Sequence, residues 1–116
     1  MGPVLIVGAS GILAPAASAL VARGTAVTGV GRRRPMPKGV VPLHVDARDL
    51  LALDEALGTT RWESAIVYEP AVVTGALRRV EAAIDGRVVL VRTSAAADPA
   101  HGEPVLTSGM LLLGWH

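Results

Sequence analysis

Apolar residues fall along this chain in short runs separated by Gly, Pro and charged positions, and two kinds of run alternate. Pro3 to Val7, Ala26 to Val30, Val40 to Val45, Ala65 to Tyr68 and Arg87 to Val91 are rich in β-branched residues and read as buried strands. Ile12 to Arg23, Asp49 to Leu57 and Ala71 to Ile84 read as helices, the last with Val73, Leu77, Val80 and Ile84 on one face. Gly24 lies just past the first helix as a cap, and Asp85-Gly86 ends the third. Pro15 is tolerable only within the first turn of its helix, where N–H groups have no intrahelical partner; this places the helix start close to Gly11. Asp46 or Asp49 stands near the cap of the second helix. The connection at 31–39, GRRRPMPKG, leaves little room for a helix. Residues 94–104 are rich in Ala, Pro and Gly and hold at most one short helix. Val105 to Thr107 and Met110 to Leu113 then give a sixth strand, with or without a break at Gly109.

Strands alternating with helices imply parallel pairing through right-handed crossovers. The expected architecture is a single α/β domain over 1–116, a Rossmann-like doubly wound parallel sheet of about six strands in the order 3-2-1-4-5-6. Ligands of such sheets bind at the carboxyl ends of the strands where the order reverses, here at Gly8 and Tyr68. Composition agrees: 51% of residues are apolar, yet aromatics are 3% and Phe is absent, so the core must be Val, Leu, Ile and Ala.

A net charge of +1, from 11 basic and 10 acidic residues, leaves no footprint for nucleic acid or an anionic membrane. Without cysteine there are no disulfides or thiolate metal sites, and His44, His101 and His116 are too scattered to suggest a metal centre. Residues 1–22 carry no charged side chain, which is near membrane-spanning length. No basic segment precedes them, however, and Gly8, Ser10, Gly11, Pro15 and Ser18 interrupt the run. A strand-turn-helix in a cytoplasmic protein is the expectation, with membrane insertion or export the alternative.

The turn Gly8-Ala9-Ser10-Gly11 carries the candidate chemistry. Glycine allows the sharp bend and lets a pyrophosphate approach the main chain, while the helix N-terminus offers free N–H groups and partial positive charge. Gly8, Ser10, Gly11, Ile12 and Leu13 are the candidate cradle; the alternative is a tight turn without a ligand. The second strand ends in Gly31-Arg32-Arg33-Arg34, with no acid to bond both ribose hydroxyls. Guanidinium forks suit a 2′-phosphate, so Arg32 and Arg33 point to NADP(H), with NAD(H) still open; the alternative is a solubilising basic turn.

The spacing Gly8-x-x-Gly11-x-x-Ala14 resembles the short-chain dehydrogenase/reductase superfamily, in its extended or atypical, NmrA-like branch. The resemblance runs on through VDARDLLALDEAL, SAIVYEP and VVLVRTSAA. It implies that Asp46 contacts an adenine amino group with Ala47 beside it, although Asp46 also fits a helix cap. It sets Tyr68 near ribose or nicotinamide, with Glu69 favourable there only if it points away, and places Ser94 at the family serine. The Tyr-x-x-x-Lys pair of catalytic members is absent: the chain has one tyrosine, Tyr68, and one lysine, Lys38. Ser94 and Tyr68 are the candidate catalytic positions. The expected function is therefore a minimal dinucleotide-binding protein, a cofactor sensor or regulator. A reductase completed by a partner subunit or a missing C-terminal segment, and an interaction module that binds no cofactor, are the alternatives. The apolar ending MLLLGWH adds the expectation of a homodimer.

Overall fold

The computed structural model describes residues 2–32, 35–93 and 110–115. The first apolar run forms β1 (Val4–Val7), every residue of which is buried. A turn leads into α1 (Ala14–Ala22), followed by β2 (Val27–Gly31) and β3 (Val41–His44). Next come α2 (Leu50–Leu57), β4 (Ser64–Tyr68), a single 3₁₀ turn at Glu69–Ala71, α3 (Thr74–Ala82), β5 (Val88–Thr93) and β6 (Met110–Trp115). The sheet order is β3-β2-β1-β4-β5-β6, as the sequence suggests. β1 pairs in parallel with β2 on one side (Val7 opposite Val30) and with β4 on the other (Val7 opposite Val67). The chain thus runs outward from β1 to β3, then returns across β1 to start β4, and the reversal falls between β1 and β4.

Two expectations need correction. β6 runs antiparallel to β5, with Thr93 opposite Met110, so five strands are parallel and the sixth is not. A parallel sixth strand would need a crossover back to the far end of the sheet. Here β6 instead begins at Met110, opposite Thr93 at the carboxyl end of β5. Val105 to Thr107 lie outside the described residues. The third helix also starts later than its apolar spacing suggests. Pro70 sits in the 3₁₀ turn and Val73 is an extended, exposed N-cap, so the helix buries Ala76 and Val80, with Leu77 partly covered.

Each face of the sheet has its own core. Leu13 and Ala17 of the first layer pack on Val4, Ile6 and Val27, with Val40 and Met36 from the β2–β3 connection filling the space where no helix forms. On the opposite face, Leu53 and Leu57 of α2 and Ala76 and Val80 of α3 cover Leu5, Val7, Val30, Ala65 and Val67. Arg79 ties these two helices together, bonding Asp54 and donating to the Gly58 carbonyl (2.8 Å). Pro15 occupies the first turn of α1, where its missing N–H costs nothing. Gly24 ends that helix at φ +84°, its N–H donating to the Val21 carbonyl (2.9 Å). The charge-free stretch is therefore β1, a turn and a nine-residue helix. Among the described residues no helix is long and apolar enough to cross a membrane.

Candidate functional site

A cleft of about 360 Å3 opens at the carboxyl ends of β1 to β4, where the strand order reverses. Its floor is the turn between β1 and α1. Gly8, at φ +99°, bends the chain away from the sheet, and its N–H and that of Ala9 donate to the Val30 carbonyl (2.9 and 3.3 Å). Gly11 N–H then donates to the Gly8 carbonyl (3.2 Å), and Ala14 N–H to that of Gly11 (3.0 Å). Among the described residues, the N–H groups of Ser10, Ile12 and Leu13 have no hydrogen-bond partner. Three amides gathered before a helix start favour an anion, because unpaired backbone donors are costly and the helix end is partially positive.

The two glycines of this turn have different reasons to be glycine. A Cβ on Gly8 would stand 3.0 Å from Tyr68 Cβ, on a backbone that side chains rarely adopt. Gly11 lacks the positive φ that favours glycine, and a Cβ there would meet nothing closer than the Gly8 carbonyl oxygen at 3.9 Å. Neither conformation nor packing demands glycine at 11; what lies in front of it is the cleft. The turn is held against β2 because β2 ends in glycine: a Cβ on Gly31 would be 2.5 Å from Ser10 Oγ.

Charge gathers at the β2–β3 side of the cleft. Arg32, just past β2, lies 3.7 Å (Nε to Oδ2) from Asp46, which follows β3. Arg48 reaches the other carboxylate oxygen twice, through its N–H (2.9 Å) and its Nε (3.3 Å). The Arg48 backbone and side-chain hydrogen bonds, aided by the charges of Arg48 and Arg32, hold the Asp46 carboxyl below its ordinary range. Asp46 does not cap α2. That role belongs to Asp49, whose Oδ1 accepts from Ala52 N–H (3.2 Å), so the Asp46 carboxylate is left to the two arginines.

The far side is Tyr68, Pro70 and Ala71. Glu69, between them in sequence, turns away from the cleft and pairs with Arg92 at 3.7 Å, which removes a carboxylate from the approach of an anion. Of the residues expected from sequence, the structure brings Gly8, Ser10, Gly11, Ile12, Arg32, Asp46, Ala47 and Tyr68 to one cleft. Leu13 does not line it; its side chain is buried beneath α1. Arg33 and Ser94 lie outside the described residues. Sequence reasoning missed Arg48, Pro70 and Ala71. The Asp-Ala-Arg triplet at 46–48 held a usable signal, since an aspartate readily bonds the backbone N–H two residues on.

No family model matches the chain, and no curated protein matches it. Among solved structures it is similar to one described as the crystal structure of a fibrillarin/Nop5p complex, with a TM-score of 0.55 and 12% sequence identity. The match covers 85% of this chain and 53% of that chain, so this chain spans about half the length of its counterpart. These findings overturn the short-chain dehydrogenase/reductase resemblance. A glycine pair between a strand and a helix reflects the bend that such folds share, and does not define that family. What the chain shares with its structural neighbour is a Rossmann-like α/β fold.

Proposed function

We propose that this chain binds a dinucleotide at the β1–β4 cleft, NADP(H) in preference to NAD(H), and acts as a cofactor-binding module. The observation that carries the reading is Gly11, a glycine that the fold does not need, facing the cleft beside three unpartnered amides. Those amides and Ser10 would hold the pyrophosphate. Arg32 would take a 2′-phosphate, and Asp46 with Ala47 would face the adenine. Tyr68, Pro70 and Ala71 would border the nicotinamide half. The bound nicotinamide would supply hydride-transfer chemistry; the chain's own contribution is to bind and orient.

Calorimetric titration of the protein with NADPH, NADP, NADH and NAD tests the reading, repeated with Arg32→Ala and Arg33→Ala. The phosphorylated pair is expected to bind tighter by a factor of about ten or more, the worth of one charge-assisted hydrogen bond, and Arg32→Ala to reduce the difference. Equal, weak affinity for all four removes the cofactor assignment.

A further inference from the structure

Arg48 was not among the residues expected from sequence, yet it shares the Asp46 carboxylate with Arg32 at the same end of the cleft. The two guanidinium groups bind different oxygens: Arg32 Nε lies 3.7 Å from Oδ2, and Arg48 Nε lies 3.3 Å from Oδ1. All three residues line the cleft. Both arginines are about half exposed, so each has donors left over after its contact with Asp46. An arginine side chain carries five N–H donors; Arg48 commits its Nε–H to Asp46, while Arg32, at 3.7 Å, makes an ion pair without a hydrogen bond. Arg48 is also fixed in place by its own backbone, whose N–H donates to the same carboxylate at 2.9 Å. The trio keeps one net positive charge, and Asp46 holds two mutually repelling cations on one side of the cleft.

We propose that Arg48 is the second arm of a two-guanidinium clamp, organised by Asp46, that selects ligands carrying a phosphomonoester at the adenosine end. The inference depends on the dinucleotide reading above and extends it: Arg48 decides between phosphorylated and unphosphorylated forms together with Arg32. Asp46 is a positioning residue that sets the spacing of the arginines. A dianionic phosphomonoester presents three oxygens, enough for a fork from each side, whereas a ribose hydroxyl gives neither arginine a charged acceptor.

The test uses 2′,5′-ADP and 5′-ADP as probes, titrated calorimetrically into the wild-type chain, Arg48→Ala and Arg48→Lys. Arg48→Ala is expected to weaken 2′,5′-ADP by about tenfold or more and to leave 5′-ADP within about twofold. Arg48→Lys, which keeps the charge without the planar fork, should fall between wild type and Arg48→Ala. Thermal midpoints measured without ligand separate a loss of recognition from a loss of fold. Unchanged discrimination in Arg48→Ala overturns the clamp while leaving the cradle standing. Equal weakening of both probes also overturns it, because Arg48 would then serve the adenosine and not the phosphate. If the wild-type chain binds neither probe, clamp and dinucleotide reading fail together.

Discussion

Replacing Gly11 with alanine separates a turn that merely bends from a turn that holds a ligand. The new methyl group would meet nothing nearer than a carbonyl oxygen at 3.9 Å, on a backbone that alanine adopts freely. Without ligand the substitution should therefore stabilise the fold, by about 0.4–1 kcal/mol, because alanine restricts the unfolded chain more than glycine does. For a domain of this size that is a rise of roughly 2–6 °C in Tm. Binding should move the other way. The methyl group would stand in the cleft where a pyrophosphate must approach the Ser10, Ile12 and Leu13 amides, and loss of one charge-assisted hydrogen bond costs about 1.5–3 kcal/mol. Affinity for NADPH should fall by roughly 10- to 150-fold. Gly8→Ala is the control. Its backbone, at φ +99°, costs about 1–3 kcal/mol for a residue with a side chain, and the methyl would press on Tyr68 Cβ at 3.0 Å. That variant should lose stability whether or not ligand is present. Urea unfolding and NADPH calorimetry on the three proteins give the result. Wild-type affinity in Gly11→Ala would refute the cradle, and destabilisation of Gly11→Ala as large as that of Gly8→Ala would refute the claim that the fold does not need this glycine.

Two smaller predictions concern the residues that arrange the β3–α2 side of the cleft. Asp49→Ala removes the bond to Ala52 N–H and should cost about 1 kcal/mol by chemical denaturation, with the neighbouring Asp46 leaving that cap unfilled. Asp46 has a depressed pKa in the folded state, so its ionised form stabilises the fold above the usual carboxylate range, and this contribution is lost as pH falls through the lowered value, below about pH 4. The stability difference between wild type and Asp46→Asn, followed by urea unfolding from pH 6 to pH 2, should be constant above about pH 5 and shrink below pH 4; a difference that is flat throughout would show that the two arginines do not act on Asp46.

The sheet was legible because its central strands are written as Val-, Ile- and Leu-rich runs between punctuating glycines and prolines, with β1 and Val88 to Val91 of β5 buried on both faces. β1, with all four residues buried, is the clearest of them. The order of the first five strands follows from alternation with helices and the handedness of crossovers. The direction of β6 was not legible, since apolar spacing carries no sense of direction and only the length and path of the connection decide it. The misplaced face of α3 has a local cause: Val73 fits a helical stripe by spacing, but it caps the helix with extended backbone, so its side chain is exposed. In the site, the glycine pair of the turn was readable, Gly8 through the backbone bend it makes and Gly11 only through its spacing from Gly8. For Arg48 the Asp-Ala-Arg triplet offered only the bond from its backbone N–H; that the same carboxylate also faces Arg32 depends on how β2 and β3 pair.

The glycines and the charges of the cleft stand in different relations to the fold. A chain 12% identical over 85% of this one keeps the same overall fold, so the architecture tolerates nearly complete replacement of its sequence. Gly8 and Gly31 are tied to that architecture by Tyr68 and Ser10, which leave no room for a side chain. Gly11, Arg32, Asp46 and Arg48 have no such tie; the first faces open space, and the other three are partly exposed and bond chiefly to one another. Stability alone gives little reason for a glycine at 11, where alanine is expected to stabilise, or for two cations on a single carboxylate, where exposed pairs contribute little. Their presence around one cleft is what the proposed dinucleotide, anionic in its middle and at one end, would account for.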